Sequence, residues 1–168
     1  MEDRIKALPA LAKDKENAHK KFFSLLRKKP PKQLDRIMQD LHQREFEKTD
    51  CLLCANCCKT TGPLFTDKDI VRIAKYLRMK PQAFTDQYLR IDEDQDWVLQ
   101  QLPCIFLGAD NRCSIYDVRP KACREFPHTD RKKFQQITKL TLKNVAICPA
   151  TFNIVEALRS TLDSKDVR

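Results

Sequence analysis

Four cysteines lie within eight residues of this chain, in the stretch CLLCANCC from Cys51 to Cys58. Cys51, Cys54 and Cys57 follow one another at intervals of three residues, and Cys58 adds a fourth thiol beside the third. Two cysteines at this spacing turn the backbone around one metal ion or cluster, so that both thiolates bind it. The stretch therefore predicts a compact metal-binding loop, which constrains the fold more than any other feature of the sequence.

Four further cysteines are dispersed over the second half of the chain. They are Cys104, Cys113, Cys123 and Cys148. Three cysteines in series match the opening of the bacterial ferredoxin ligand run, whose fourth ligand is a Cys-Pro, and this chain has a remote Cys-Pro at Cys148-Pro149. We therefore predict one centre at Cys51, Cys54, Cys57 and Cys148, and a second at Cys58, Cys104, Cys113 and Cys123. A single larger cluster bridged by the neighbours Cys57 and Cys58 is the alternative.

The cysteine pattern is compatible with an iron-sulfur cluster and with Zn²⁺. The ferredoxin-like spacing slightly favours iron-sulfur. A paired zinc site would show two separate C-x2-C knuckles, and only the segment at Cys51 supplies one. Buried structural thiols and a redox dithiol in the sequence CANC are simpler interpretations of individual cysteines. Neither explains why so many cysteines are crowded together.

The sequence contains no run that approaches the roughly 18 consecutive apolar residues of a membrane span. Its N-terminal residues also lack the apolar segment of a signal peptide. We therefore expect a cytoplasmic protein with no membrane partner. Thiols stay reduced in that compartment, where clustered cysteines are more often metal ligands than disulfides.

The formal net charge of the 168-residue chain is +9. Residues 1–48 carry 13 Lys and Arg against 8 Asp and Glu, and the remainder carries 19 against 15. Such a balance permits binding of an acidic protein or a nucleic acid through basic N-terminal helices. A solvated surface is the simpler interpretation, and the partner stays unknown at this point.

Apolar residues at helical spacing predict a fold that is mainly α with a small β-hairpin, in the α+β class. The segments from Pro9 to about Arg27 and from Lys32 to about Glu47 each predict an amphipathic helix before the first cysteine. They indicate a helical extension over residues 1–48. A compact cysteine-rich metal-binding domain is expected over residues 49–160.

Further elements are predicted after the cysteine string. Helices are expected over residues 67–78, over residues 81–88 and from Pro149 onward. Residues 97–99 have strand composition, as do residues 104–107 before a turn. That turn predicts a hairpin that places Cys104 and Cys113 on facing strands, as a shared ligand site requires.

The cysteine-containing segments resemble a known family. CLLCANCC is followed by PCIFL at residues 103–107, CSIYDVRPKACREFP at 113–127 and Cys148-Pro149. This order is similar to that of the YkgJ-like cysteine-cluster proteins, also called the CxxCxxCC or zinc- or iron-chelating domain. The resemblance covers about residues 50–150. It implies a bacterial metal-binding protein with all eight cysteines as ligands, and related domains occur beside flagellin lysine methylation.

Two details of these segments bear on the metal site. The family often has glycine where this chain has Ala55-Asn56, and Asn56 is the residue that tolerates a left-handed backbone. Arg119 and Arg124 stand among the cysteines of the family block. Guanidinium groups there would offset thiolate charge and donate hydrogen bonds to sulfur. An ordinary surface position is the alternative for both arginines.

Three functions compete on this basis. The first is a metal-binding protein with a structural, electron-transfer or cluster-handling role. The second is an enzyme whose metal keeps an open coordination position for substrate, although no catalytic triad, phosphate loop or dinucleotide fingerprint is present. The third is a basic adaptor in which metal holds the fold, while helices at 10–28 and 32–48 bind nucleic acid or protein.

Overall fold

The computed structural model describes residues 2–163. Within them the α-helices are, in chain order, α1 Glu2–Lys28, α2 Leu34–Phe46, α3 Cys51–Cys54, α4 Asn56–Thr60, α5 Asp67–Tyr76, α6 Pro81–Tyr88, α7 Lys121–Glu125, α8 Thr138–Val145 and α9 Pro149–Asp163. The strands are β1 Leu64–Phe65, β2 Leu89–Ile91 and β3 Trp97–Leu99, and short 3₁₀ turns cover Tyr116–Val118 and Phe134–Gln136. The predicted class, mainly α with a small antiparallel β element, is confirmed.

The chain divides into two compact units. The first consists of the residues up to Cys54 together with those from Pro127, and the second is Ala55–Phe126. The domains predicted from the sequence, 1–48 and 49–160, divide the chain differently and stay a prediction. No helix among the described residues is both long and apolar enough to cross a membrane.

The first unit is a helical bundle in which segments from both ends of the chain share one core. Helices α1, α2, α8 and α9 pack against one another. The largest side chains of this core are at most 1% exposed: Phe23, Met38, Phe134, Ile154 and Leu158. Burying a side chain of this size contributes about 1.5–3 kcal/mol. Residues far apart in sequence therefore stabilise α1 and α2 jointly with α8 and α9.

Helix α1 begins earlier than the sequence predicted. Its start was expected at Pro9, but the helix begins at Glu2 and passes through Pro9. Proline inside a helix removes one hydrogen bond and costs about 3 kcal/mol. Leu8, directly before it, is only 2% exposed, so its burial offsets part of that cost.

The second unit packs helices α5 and α6 with a three-stranded antiparallel sheet of order β1-β3-β2. Leu64 and Arg90 flank Val98 of the central strand β3. The core between helices and sheet includes Ile73 and Phe84, both fully buried. The strand expected at 97–99 and the helices expected after residues 66 and 80 are confirmed.

The predicted hairpin around Cys104 and Cys113 is present only in part. Only an isolated bridge between Leu107 and Cys113 is present. The Leu107 N–H instead donates to the carbonyl of Cys104 at 3.0 Å, which closes a turn. The Ser114 N–H donates to the Phe106 carbonyl at 2.8 Å, so Cys113 lies in the antiparallel bridge, whereas Cys104 lies at the start of the turn.

Candidate metal centre

The cysteine string forms two short helices. Cys51 and Cys54 are the ends of α3, and Cys57 and Cys58 lie in α4. Ala55 precedes α4 in a left-handed conformation, with φ of 47°. A left-handed backbone costs a residue with a Cβ about 1 kcal/mol relative to glycine. Sequence analysis indicated Asn56 as the residue suited to this conformation, and the structure corrects that assignment to Ala55.

The four thiols predicted to form the second centre all belong to the second unit and interact through charge. Burial raises the pKa of Cys123 to about 12, to which negative charge on Cys58, Cys104 and Cys113 contributes. The Cys104 N–H donates to the Cys58 carbonyl at 2.9 Å, which ties its turn to α4. The fold therefore brings these four cysteines into one neighbourhood.

Backbone donors surround two of these thiols. Burial raises the pKa of Cys104 and of Cys113, and negative charge on Cys58 raises both further. Hydrogen bonds from the N–H groups of Phe106 and Leu107 lower the pKa of Cys104, and a hydrogen bond from the Ile115 N–H lowers the pKa of Cys113. Hydrogen bonds to sulfur favour the thiolate form. The backbone around Cys104 and Cys113 is thus suited to hold ligating thiolates.

Cys58 differs from the other thiols of its group. Its sulfur lies 4.0 Å from that of Cys57. The hydrogen bond with Cys57 lowers the pKa of Cys58 to about 7, helped by the charge of Lys59 and opposed by burial. Cys58 therefore has more thiolate character near neutral pH than an ordinary cysteine.

In metal-free protein, Cys58 is expected to react with iodoacetamide faster than the other thiols near neutral pH. The thiolate is the nucleophile, so the alkylation rate should rise as pH increases through about 7. Mass spectrometry of labelled peptides over a series of pH values measures this midpoint. The variant Cys57→Ala lacks the hydrogen bond, so its midpoint should move to higher pH. An unchanged midpoint in that variant would contradict the assigned cause.

Two cysteines of the predicted first centre are neighbours within the first unit. Burial raises the pKa of Cys148, with a contribution from negative charge on Cys54, while hydrogen bonds from Thr151 oppose the shift. Cys51 also belongs to this unit and is exposed. Cys57, the remaining member, belongs to the second unit.

The donor chemistry fits zinc or iron. Among the described residues, no three Cys, His, Asp or Glu side chains converge at metal-binding distances. The second unit nevertheless collects four thiols whose mutual repulsion disfavours joint ionisation. A cation among them would offset that repulsion, and soft thiolates are the ligands that zinc and iron-sulfur clusters prefer.

The two predicted arginines have different surroundings. The Arg119 guanidinium lies 3.8 Å from the centre of the Tyr116 ring and donates to the Tyr116 carbonyl at 2.7 Å. Its positive charge lowers the pKa of Cys113 and Cys123, against the raising effect of burial. Arg124 donates to the Arg119 carbonyl at 2.9 Å. Arg119 therefore acts on the thiols through charge, and Arg124 orders the backbone beside them.

Asp69 positions the segment that contains Cys123, a role that the sequence did not indicate. Asp69 is 1% exposed and forms the capping box of α5 with Thr66. Its carboxylate also accepts the Lys121 N–H at 3.1 Å, at the first residue of the helix that contains Cys123. One carboxylate thus organises the start of both α5 and α7.

Arg72 strengthens the same connection. It pairs with Asp69 at 2.5 Å and donates to the carbonyls of Val118 and Arg119 at 3.3 and 3.0 Å. The Asp-x-x-Arg spacing on a predicted helix was a signal for the ion pair. Nothing in the sequence indicated the contacts with residues 118–121, because they depend on the folded chain.

Comparisons with known proteins agree with the cysteine pattern. A family model named CxxCxxCC, described as "Putative zinc- or iron-chelating domain", matches residues 50–142. An uncharacterized protein of Methanocaldococcus jannaschii is 32% identical over 91 residues, which are 52% of this chain and 49% of that protein. The chain thus spans about half the length of that relative. No solved structure matches this chain.

Proposed function

Because the chain belongs to the CxxCxxCC family of zinc- or iron-chelating domains, we propose that its eight cysteines bind metal at two centres. The observation that carries this proposal is the group of four thiols in the second unit, each coupled by charge to others of the group. Four neighbouring thiols repel one another when they are ionised, and this repulsion does not stabilise the fold. The positive charge of a metal ion or cluster bound by the four thiolates offsets that repulsion.

The proposed centres divide the cysteines by fours. One takes Cys58, Cys104, Cys113 and Cys123, which the charge interactions in the second unit support. The sequence spacing predicts the other at Cys51, Cys54, Cys57 and Cys148, and the interaction of Cys54 with Cys148 supports the placement of these two residues within the first unit. Two complete sets of four thiolates leave no open position on either metal, which favours a binding role over an enzymatic one.

The residues around the thiols would tune the bound group. Four thiolates on a divalent ion carry net negative charge, and Arg119 supplies positive charge at Cys113 and Cys123. N–H groups of Phe106 and Leu107 stabilise the thiolate of Cys104. Such donors raise the reduction potential of an iron-sulfur cluster and strengthen a zinc site.

We further propose an iron-sulfur cluster rather than zinc, with a role in electron transfer or cluster handling. The ferredoxin-like order of Cys51, Cys54, Cys57 and the Cys148-Pro149 pair supports this choice. A bound cluster supplies one-electron redox chemistry, whereas zinc supplies structural stability alone at a site of four thiolates.

Metal analysis of protein purified without oxygen, and without a metal-affinity column, tests the proposal. Iron with acid-labile sulfide and a brown charge-transfer absorption are expected, and Cys54→Ser should reduce that absorption. Zinc near stoichiometry without visible absorption would contradict the cluster and retain the metal-binding role. Folded protein with neither metal and with all eight thiols reactive would contradict both.

A further inference from the structure

The positive charge of this protein is concentrated in one of its two units. The residues up to Cys54 and from Pro127 carry 21 Lys and Arg against 13 Asp and Glu, a net charge of +8. Residues 55–126 carry 11 against 10. The excess charge lies in the unit that does not contain Cys58, Cys104, Cys113 and Cys123, so ligation by these four thiolates does not explain it.

Within the first unit, contacts between distant residues bring two basic segments together. Arg27 near the end of α1 donates to the Thr138 hydroxyl at the start of α8, at 2.8 Å. The Asp35 carboxylate in the first turn of α2 accepts the N–H groups of Lys133 and Phe134 at 2.7 and 3.0 Å. The segment around residues 28–32 therefore lies beside residues 132–139.

These two segments form a surface that we call the basic patch. It consists of Lys28, Lys29, Lys32, Lys132, Lys133 and Lys139, all of them exposed. Asp35, the acidic residue between them, already accepts two backbone hydrogen bonds. In the part of the chain that the structure describes, no ion pair joins these lysines to a carboxylate. Six ammonium groups on one surface repel one another, and an anionic ligand relieves that repulsion.

We propose that the basic patch binds the phosphate backbone of a double-stranded nucleic acid. Exposed lysines neutralise phosphates and release counterions, which is the main source of sequence-independent binding to nucleic acid. Lysine is depleted in protein–protein interfaces, so an acidic protein fits this composition less well. The aromatic rings Phe23 and Phe134 are buried, and the patch has none for stacking on the bases of a single strand.

This surface differs from the one expected from the sequence. The sequence indicated helices 10–28 and 32–48 as the basic binding elements. The basic patch uses only the end of α1 and the connection to α2, and takes its other half from residues 132–139, where the run Arg131-Lys132-Lys133 lies. The run Arg131-Lys132-Lys133 is thus part of a composite surface.

Binding is measured with the full chain in its purified metal-bound state. The probe is a fluorescent duplex of about 20 base pairs and mixed sequence, titrated between about 50 and 200 mM salt. The triple variant Lys28→Gln, Lys29→Gln and Lys132→Gln is compared with the matched triple Lys68→Gln, Lys75→Gln and Lys80→Gln. All six lysines are exposed, and the control residues belong to the second unit.

We expect the patch variant to weaken duplex binding at least about tenfold and to reduce the slope of log K against log salt by about 3. The control triple should change either quantity little. A second variant, Lys32→Gln with Lys139→Gln, should reduce the slope by about 2. Scrambling the duplex sequence should leave affinity unchanged, because phosphates carry no sequence information.

Several results would overturn the proposal. They are the absence of duplex binding, an equal loss of affinity in both triple variants, and tighter binding to the single strand than to the duplex. Tighter binding to polyglutamate would assign the patch to an acidic protein instead. Tighter binding to vesicles of anionic lipid would assign it to a membrane surface.

Discussion

Replacing Cys123 by serine is expected to remove one metal centre and to leave the other in place. Burial, together with the charges of Cys58, Cys104 and Cys113, raises the pKa of the Cys123 thiol to about 12. That thiol ionises near neutral pH only beside a cation, so its ligation depends on the metal that it shares with the other three. Loss of a ligand should cost more than the roughly 10- to 100-fold in affinity that removal of an outer hydrogen-bond partner costs.

Metal content per chain after gel filtration, with the absorption spectrum, measures this loss. The matched variant is Cys54→Ser, which should remove the other centre, and the double variant should lose both. Loss of all metal in either single variant would contradict the division into two centres. It would favour one larger cluster bridged by Cys57 and Cys58, whose sulfurs lie 4.0 Å apart.

Local sequence signals predicted much of the second unit. The capping residues Thr66 and Asp69 predicted the start of α5, and Pro81 predicted the start of α6. Each signal depends on backbone groups within a few residues of it, so the folded chain is not needed to read it. The family was identified by the resemblance of the cysteine-containing segments, which is visible without the folded chain.

Long-range contacts explain what the sequence did not predict. The segment at Cys104, expected as a strand, leads into a turn, and the Cys104 N–H donates to the carbonyl of the distant Cys58. Helix α1 passes through Pro9, where its start was expected, and Leu8 directly before it is buried. Asp69 looked like an ordinary capping residue until the structure brought the Lys121 N–H to it. Local patterns cannot indicate such partners, since these residues meet only after folding.

Replacing Asp69 by asparagine is expected to destabilise the protein by about 2 to 3 kcal/mol at neutral pH. The change removes the negative partner of Arg72 and weakens the acceptor for the N–H groups of Thr66 and Lys121. Urea unfolding measures the free energy. The control Asp67→Asn changes the same charge at an exposed position of the same helix and should cost about 0.5 kcal/mol. Equal costs for the two variants would contradict the proposed network.

The difference between the wild-type protein and Asp69→Asn should narrow as the pH falls below about 4. Burial disfavours the Asp69 carboxylate, but hydrogen bonds from Thr66, Arg72 and the Lys121 N–H lower its pKa below the ordinary value. A lowered pKa in the folded state stabilises the protein above the unfolded pKa, and that stabilisation is lost as pH falls through the folded pKa. Asparagine cannot be protonated in this range, so only the wild type loses this contribution. Any loss of bound metal in acid should affect Asp67→Asn and the wild type equally. Unfolding curves of all three proteins at pH values above and below about 4 therefore separate that effect from the titration of Asp69.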